Sequence, residues 1–188
     1  QDGFPLVELA VVLAILGVVG AAVTSLIGWS VQVQARYEAA HLRQESAQMA
    51  LEQIARLLRT AGAGGKPALW RGERDSVDLC GLPWAGRTMR VSVRLDGRGS
   101  LVLAPFQATG NVAGCPGSDL TAPVSLAPSL TFLEVGFRYT TPAGEVDRCS
   151  QASSPPCTAV TGVKVRVRPE GAPWGAELFI ALRNPGGP

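Results

Sequence analysis

One acidic residue, Glu8, lies in an apolar segment that holds no other charge. From Leu6 to Trp29 the chain reads LVELAVVLAILGVVGAAVTSLIGW, 24 residues in which Glu8 is the single charged side chain. A carboxylate in an apolar environment costs a few kcal/mol unless a positive group or water is near it. We therefore expect either an ion pair with a group from outside the segment or, alternatively, hydration of Glu8 at the level of the lipid headgroups.

Four cysteines form the second set of reactive side chains: Cys80, Cys115, Cys149 and Cys157. Their spacings include no C-x-x-C pair, which argues against a zinc site. An even number of cysteines in a domain that follows a membrane span indicates disulfides in an oxidising compartment. Three pairings are open, and free buried thiols are the alternative for either pair. We favour Cys80–Cys115, which closes the hairpin region, with Cys149–Cys157, which closes the loop SQASSPP.

Residues for catalysis or for cofactor binding are scarce. The chain has a single histidine, His41, which lies in a helical region. One such histidine argues against both a Ser/His/Asp triad and a metal site built from histidines. Gly62–Gly65 follows a helix instead of linking a strand to a helix, and it does not fit a phosphate-binding loop. We expect no enzymatic activity and no cofactor.

Five basic residues alternate with apolar ones in two segments of predicted strand: Arg90, Arg94, Lys164, Arg166 and Arg168. Such side chains could contact the phosphates of nucleic acid in a salt-sensitive way. Residues 61–188 hold 13 basic and 10 acidic residues, however, a net charge of only +3. Nucleic-acid-binding domains normally carry a strong basic excess. Solvated strand faces are therefore the favoured interpretation, and nucleic-acid contact is the alternative.

The elements that position these residues begin with one long helix. A helix of 24 residues spans roughly 36 Å, which exceeds a bilayer core of about 30 Å. The helical pattern continues from Ser30 to Ala61 without Gly or Pro, and Gly62–Gly65 ends it. In this second half, residues spaced by three or four form the stripe of an amphipathic helix: Tyr37, Ala40, Gln44, Ala47, Leu51, Ile54, Leu58 and Ala61.

Alternation with a period of two follows Pro67 and predicts antiparallel strands with one wet face. The predicted strands are Ser76–Cys80, Thr88–Leu95, Ser100–Ala104, Thr131–Tyr139, Gly162–Arg168 and Ala176–Arg183. The residues Asp96–Gly99 form a hairpin turn, and Phe106–Pro128 and Thr140–Thr161 are predicted as loops. The dry face of the sheet can cover the apolar stripe of the helix, which gives an α+β fold.

The segment Gly3-Phe4-Pro5-Leu6-Val7-Glu8-Leu9, followed by a long apolar run, closely resembles the processing and assembly motif of type IV pilins and type II secretion pseudopilins. Those families usually show Gly-Phe-Thr-Leu-Xaa-Glu, so Pro5 stands where threonine is common. Proline is tolerated in the first turn of a helix because its missing N–H would be unpaired there. The resemblance implies the pilin fold, in which a long N-terminal helix packs on a C-terminal antiparallel sheet.

The resemblance also implies a role for each motif residue. Gly3 would precede the bond that a prepilin peptidase cuts, and Phe4 would become the N-methylated mature N-terminus. Glu8 would meet the new Phe4 amine of a neighbouring subunit, so that this ion pair forms only in the assembly. The implied partners are other pilin or pseudopilin subunits, the prepilin peptidase, the inner-membrane assembly platform and membrane lipid.

The expected organisation has four parts: a leader remnant at 1–3, a membrane-spanning and assembly half of the helix at 4–29, its amphipathic half at 30–61 and a β-sheet head at 62–188. The leader side would face the cytoplasm and the head would face the periplasm, before the subunit passes from the bacterial inner membrane into a filament.

The C-terminal half resembles, in spacing more than in identities, the PilW-type minor pilins and the J-type pseudopilins, which are thought to sit at or near the filament tip. The segments concerned are Leu130–Tyr139, Thr161–Arg168 and Leu178–Asn184. We therefore expect a minor structural subunit of a type IV pilus or a type II secretion pseudopilus. The alternatives are a DNA-binding minor pilin that serves natural transformation and a signal-anchored periplasmic domain that never polymerises.

Overall fold

The structure, a computed structural model, describes residues 6–62, 68–106, 114–115, 117–128, 130–151 and 156–182. The chain divides into two compact units, Gln1–Leu42 and Arg43–Pro188. The described part of the first unit is helical, and the second unit holds the last turns of the same helix together with the β-strands. The chain is thus an α+β protein, with its unit boundary inside the helix.

One α-helix, α1, runs without interruption from Leu6 to Thr60. It ends where Gly62 adopts a φ of 82°, a left-handed conformation that glycine accepts without steric cost. The amide of Ala61 donates to the carbonyl of Leu57 at 2.9 Å, and the amide of Gly62 donates to the carbonyl of Cys80 at 2.9 Å. The predicted long helix and its glycine stop are therefore confirmed.

The strands within the described residues form two sheets. Their bounds are β1 Leu69–Gly72, β2 Ser76–Trp84, β3 Arg87–Leu95, β4 Leu101–Pro105, β5 Ser118–Asp119, β6 Val124–Ser125, β7 Phe132–Thr141, β8 Gly144–Val146, β9 Cys149–Ser150, β10 Gly162–Pro169 and β11 Ala176–Ala181. The first sheet has the order β6-β4-β3-β2-β1-β9, with β5 beside β3, and the second sheet has the order β11-β10-β7-β8. Neighbouring strands are antiparallel except for the parallel pair of β3 with β5.

The six predicted strands correspond to β2, β3, β4, β7, β10 and β11, with ends that differ by one to four residues in the described part. Arg183, the predicted end of the last strand, lies outside the described residues. The segments predicted as loops contain β5, β6, β8 and β9, so these predictions are wrong in part. Each of those strands has only two or three residues, which is too short for a period of two to show.

The second sheet has the dry and wet faces that the alternation predicts. Val163, Val165 and Val167 on β10 are fully buried, and the basic residues between them face outward. The first sheet differs, because the predicted wet face of β3 is buried at its centre. There Ser92 is fully buried opposite the buried Asp78 of β2. On the neighbouring strand β2, Cys80 is buried as well and is bonded to Cys115.

The core lies between the inner faces of the two sheets and the C-terminal turns of α1. Ala47, Leu51, Ile54 and Leu58 of the predicted stripe are buried against strand residues. The prediction is wrong for the N-terminal part of the stripe, because Tyr37 has 73% of its surface exposed and Ala40 and Gln44 are exposed as well. The core therefore reaches only about four turns of the helix, from Ala47 to Thr60.

Tyr139 on β7 joins the second sheet to the first. Its ring is fully buried, and its hydroxyl donates to the carbonyl oxygens of Glu73 at 2.9 Å and Ser76 at 3.2 Å, in the turn between β1 and β2. Burial raises the pKa of Tyr139 well above its ordinary value of 10.0, and the carboxylates of Glu73 and Asp78 raise it further. The fold thus favours the neutral phenol.

The raised pKa predicts an alkaline loss of stability. The contribution of Tyr139 is complete below about pH 10, the pKa of an unfolded tyrosine, and is lost as the pH rises through the higher pKa of the folded state. At neutral pH, Tyr139→Phe should cost about 1 kcal/mol, because a buried carbonyl loses its donor. Urea unfolding of both proteins from about pH 7 to about pH 11 should show the advantage of the wild type shrinking above about pH 10. An advantage that stays constant with pH would contradict the assignment.

Candidate functional site

The N-terminal half of α1 presents an apolar surface that the chain itself does not cover. Every side chain from Glu8 to Gln32 is exposed, including Val18 at 72% and Leu26 at 64%. Among the described residues, this helix alone is long and apolar enough to cross a membrane. Soluble proteins rarely leave so large an apolar surface in water, and this half of the helix is long and apolar enough to lie in a membrane.

The hydroxyl groups of this half are satisfied within the helix. Thr24 donates to the carbonyl of Gly20 at 3.0 Å, Ser25 donates to that of Ala22 at 2.8 Å, and Ser30 donates to that of Ile27 at 2.9 Å. Such bonds to the preceding turn allow serine and threonine to lie in an apolar environment without an outside partner. These side chains therefore leave the surface free to contact lipid or another helix.

Glu8 differs from them because its carboxylate has no such partner among the described residues. It is exposed in the first turn of α1, where the positive end of the helix dipole favours an acid. The next charged residue along the chain is Arg36, about 42 Å away at the helical rise. Within the residues that the structure describes, Glu8 makes no ion pair or hydrogen bond. Gly3 and Phe4, the predicted processing residues, lie outside those residues.

One face of the same half carries small residues, which the sequence analysis did not single out. Steps of three and four place them in one row along the helix: Ala10, Ala14, Gly17, Ala21, Thr24 and Gly28. The glycines of this row have open space where a side chain would stand. Small residues at this spacing let two membrane helices approach closely. A search for small residues every three or four positions would have found the row.

Two disulfides hold the β-rich unit. Cys80 is bonded to Cys115 with their Cα atoms 5.2 Å apart, and Cys149 is bonded to Cys157 with their Cα atoms 5.0 Å apart. This is the pairing that the sequence analysis favoured among the three. The first bridge joins β2 to Cys115, and the second joins β9 to the helical turn Cys157–Ala159 before β10.

The five basic residues of the predicted strands are divided between the two sheets, with Arg90 and Arg94 on β3 and the other three on β10. Arg90 on β3 is paired with Asp119, with its Nε 2.9 Å from Oδ1, and its guanidinium lies 5.7 Å from the ring centroid of Phe106. Arg94, also on β3, is half-buried opposite Ser76. Arg90 therefore exposes little of its charge, with 17% of its side-chain surface accessible.

The other three basic residues lie on β10, and two of them are paired. Lys164 has its Nζ 3.0 Å from Oε1 of Glu177, and Arg168 has its Nη2 3.4 Å from Oε2 of Glu134. Arg166 is exposed between them. The charge that a nucleic-acid strand could reach is therefore much smaller than the sequence suggests.

No protein-family model and no curated protein matches this sequence. The features that bear on function are the exposed apolar half of α1, Glu8 without a partner among the described residues, and the disulfide-bonded unit of two sheets.

Proposed function

We propose that the chain is a minor structural subunit of a type IV pilus or a type II secretion pseudopilus. The observation that carries the proposal is the continuous helix α1, whose first half is apolar and exposed and holds one acid, Glu8, without a partner among the described residues. The motif from Gly3 to Glu8 that precedes this surface supports the same assignment. The subunit has a structural and not an enzymatic role.

The apolar half of α1 serves two states of the subunit in this proposal. Before assembly it spans the inner membrane and contacts lipid, and in the filament it contacts the corresponding helices of neighbouring subunits. The exchange is easy because lipid tails and aliphatic side chains are similarly apolar. The row of small residues from Ala10 to Gly28 lets the helices approach closely in the second state.

Glu8 sets the register of assembly. Cleavage after Gly3 creates an amine on Phe4, and an axial offset between subunits brings this amine beside the Glu8 carboxylate of a neighbour. Both charges are costly in an apolar surrounding when they are alone and much less so when they are paired. Only subunits at the correct offset satisfy both groups.

The β-rich unit lies in the periplasm and then on the filament. Its two disulfides suit an oxidising compartment. The similarity of its C-terminal half to PilW-type minor pilins and J-type pseudopilins supports a position at or near the tip. A role in DNA uptake is the less favoured function, because three of the five basic residues in question already have acidic partners.

Filament fractions from the host test this function. Quantitative immunoblots should detect the subunit in filaments sheared from a wild-type host. A host without its prepilin peptidase should retain the subunit in the inner membrane as a longer precursor. If the subunit stays in the membrane fraction of both strains while the wild type makes filaments, it is an anchored periplasmic domain that does not polymerise.

A further inference from the structure

A groove of about 240 Å³ opens on the outer face of the second sheet. Its floor is Gly136 on β7, which has no side chain and lies directly opposite Arg166 on β10. Arg74, from the turn between β1 and β2, lines the groove as well. That turn is fixed to β7, because the amide of Phe137 donates to the carbonyl of Arg74 at 2.8 Å. The groove is therefore built from two rigid elements.

Most charges around the groove are neutralised in place. Lys164 and Arg168 have the acidic partners described above, and Arg138 lies 3.8 Å from carboxylate oxygens of both Glu145 and Asp147. Each of these pairs joins neighbouring strands of the second sheet or the turn beside it. Because of these ion pairs, positive and negative side chains alternate around the rim of the groove, and their charges largely cancel.

Arg74 and Arg166 are the exceptions. Both are exposed, both line the groove, and neither has a carboxylate partner among the described residues. The 10 acidic residues of 62–188 all lie in the part that the structure describes, so no further acidic side chain of this region remains to pair with them. Two arginines without an ion pair to a described residue therefore line the groove together with Gly136, which has no side chain, and with Glu177, which lies opposite Arg166 on β11.

We propose that this groove is a binding site for one oxyanion group, a carboxylate or a phosphate, held between Arg74 and Arg166. A guanidinium presents N–H donors in a planar fork that matches two oxygens of either group. Glu134 and Glu177 line the same groove and repel further negative charges. The site therefore accepts a single oxyanion and not a run of phosphates, and it does not depend on the filament function proposed above.

Calorimetric titration of the full chain in a nonionic detergent tests the site with two probes. Inorganic phosphate represents a free anion, and a neutral-ended tripeptide with one central glutamate represents the carboxylate of a partner protein. At least one probe should bind, and the tighter one identifies the source. Arg74→Gln and Arg166→Gln should each weaken binding by about tenfold or more, since each removes charge-assisted hydrogen bonds.

Two variants separate the site from a general effect of charge. Arg87→Gln removes the same charge outside the groove and should leave the affinity unchanged. Glu177→Gln should strengthen binding, because it releases Lys164, whose Nζ lies 3.0 Å from Glu177. Failure of both probes to bind, or equal losses in Arg87→Gln and Arg166→Gln, would overturn the proposal. Tight binding of a single-stranded oligonucleotide with a steep salt dependence would overturn it too, because that behaviour requires several phosphate contacts.

The floor of the groove offers a test that leaves both arginines in place. A Cβ at position 136 would meet only the Arg74 carbonyl, at 3.9 Å, which is ordinary van der Waals contact. Gly136→Val should therefore fold, and its methyl groups should fill the space where the anion lies. We expect loss of probe binding with an unchanged melting temperature. Unchanged binding would place the anion elsewhere and contradict the site.

Discussion

Replacing Glu8 by leucine should leave the subunit in the membrane and exclude it from filaments. The change makes the apolar half of α1 more apolar, so insertion is retained. It also leaves the Phe4 amine of a neighbouring subunit without its partner. Removal of one member of a buried ion pair costs about 3–5 kcal/mol, which corresponds to about a hundredfold or greater loss of incorporation. This loss of incorporation is measured as the ratio of the amount of subunit in sheared filaments to the amount in membranes.

Two further variants make this result specific. Glu8→Asp keeps the charge on a shorter side chain and should restore part of the incorporation. Glu38→Gln removes an exposed acid from the same helix, where its carboxylate accepts a hydrogen bond from Gln34 at 3.1 Å, and should assemble like the wild type. The register role of Glu8 is wrong if Glu8→Leu and Glu38→Gln enter filaments equally well.

Gly72→Ala should strongly destabilise the β-rich unit. A Cβ at this position would lie 2.6 Å from Cε1 and 2.7 Å from the hydroxyl oxygen of Tyr139, closer than atoms can pack. Tyr139 cannot move aside without losing its bonds to the carbonyls of Glu73 and Ser76. We expect a cost of about 3 kcal/mol, at the upper end of ordinary overpacking. Thermal unfolding should show a melting temperature lower by roughly 6–12 °C.

The matched control is Gly97→Ala, because a Cβ there has no heavy atom within 4 Å. A double-mutant cycle adds a direct test of the contact. In a Tyr139→Leu background the shorter side chain leaves space, so Gly72→Ala should cost much less than it does in the wild type. Equal effects of Gly72→Ala and Gly97→Ala, or additive effects in the cycle, would show that the ring does not restrict position 72.

The long helix and the longer strands could be predicted because their patterns are local. The run without Gly or Pro fixes α1 up to Thr60, and alternation over eight or more residues identifies β3 and β10. The burial of Ser92 could not be predicted in this way. It depends on tertiary packing around Ser92 and the buried Asp78 opposite it, which a pattern within one strand does not contain. The exposure of Tyr37 could not be predicted either, because the spacing of apolar residues does not show how far along the helix burial extends.

The candidate site, like the fold, could be predicted from the sequence only in part. The isolation of Glu8 is visible in the sequence, because no charge follows it before Arg36. The pairing of the basic residues is not visible there, because the partners lie on other strands: Asp119 pairs with Arg90, and Glu177 pairs with Lys164. The groove lined by Arg74 and Arg166 was missed for the same reason, since the two residues line it together only because the turn that holds Arg74 is fixed to β7.

The N-terminus of the subunit isolated from its host tests the central claim most directly. Processing at the motif predicts a polypeptide that begins at Phe4 and carries one methyl group on its amine, and intact-mass and peptide mass spectrometry resolve both features. A polypeptide that begins before Phe4 would lack the amine that Glu8 requires. One that begins after the apolar half would have lost Glu8 itself. Either result would contradict assembly through this helix.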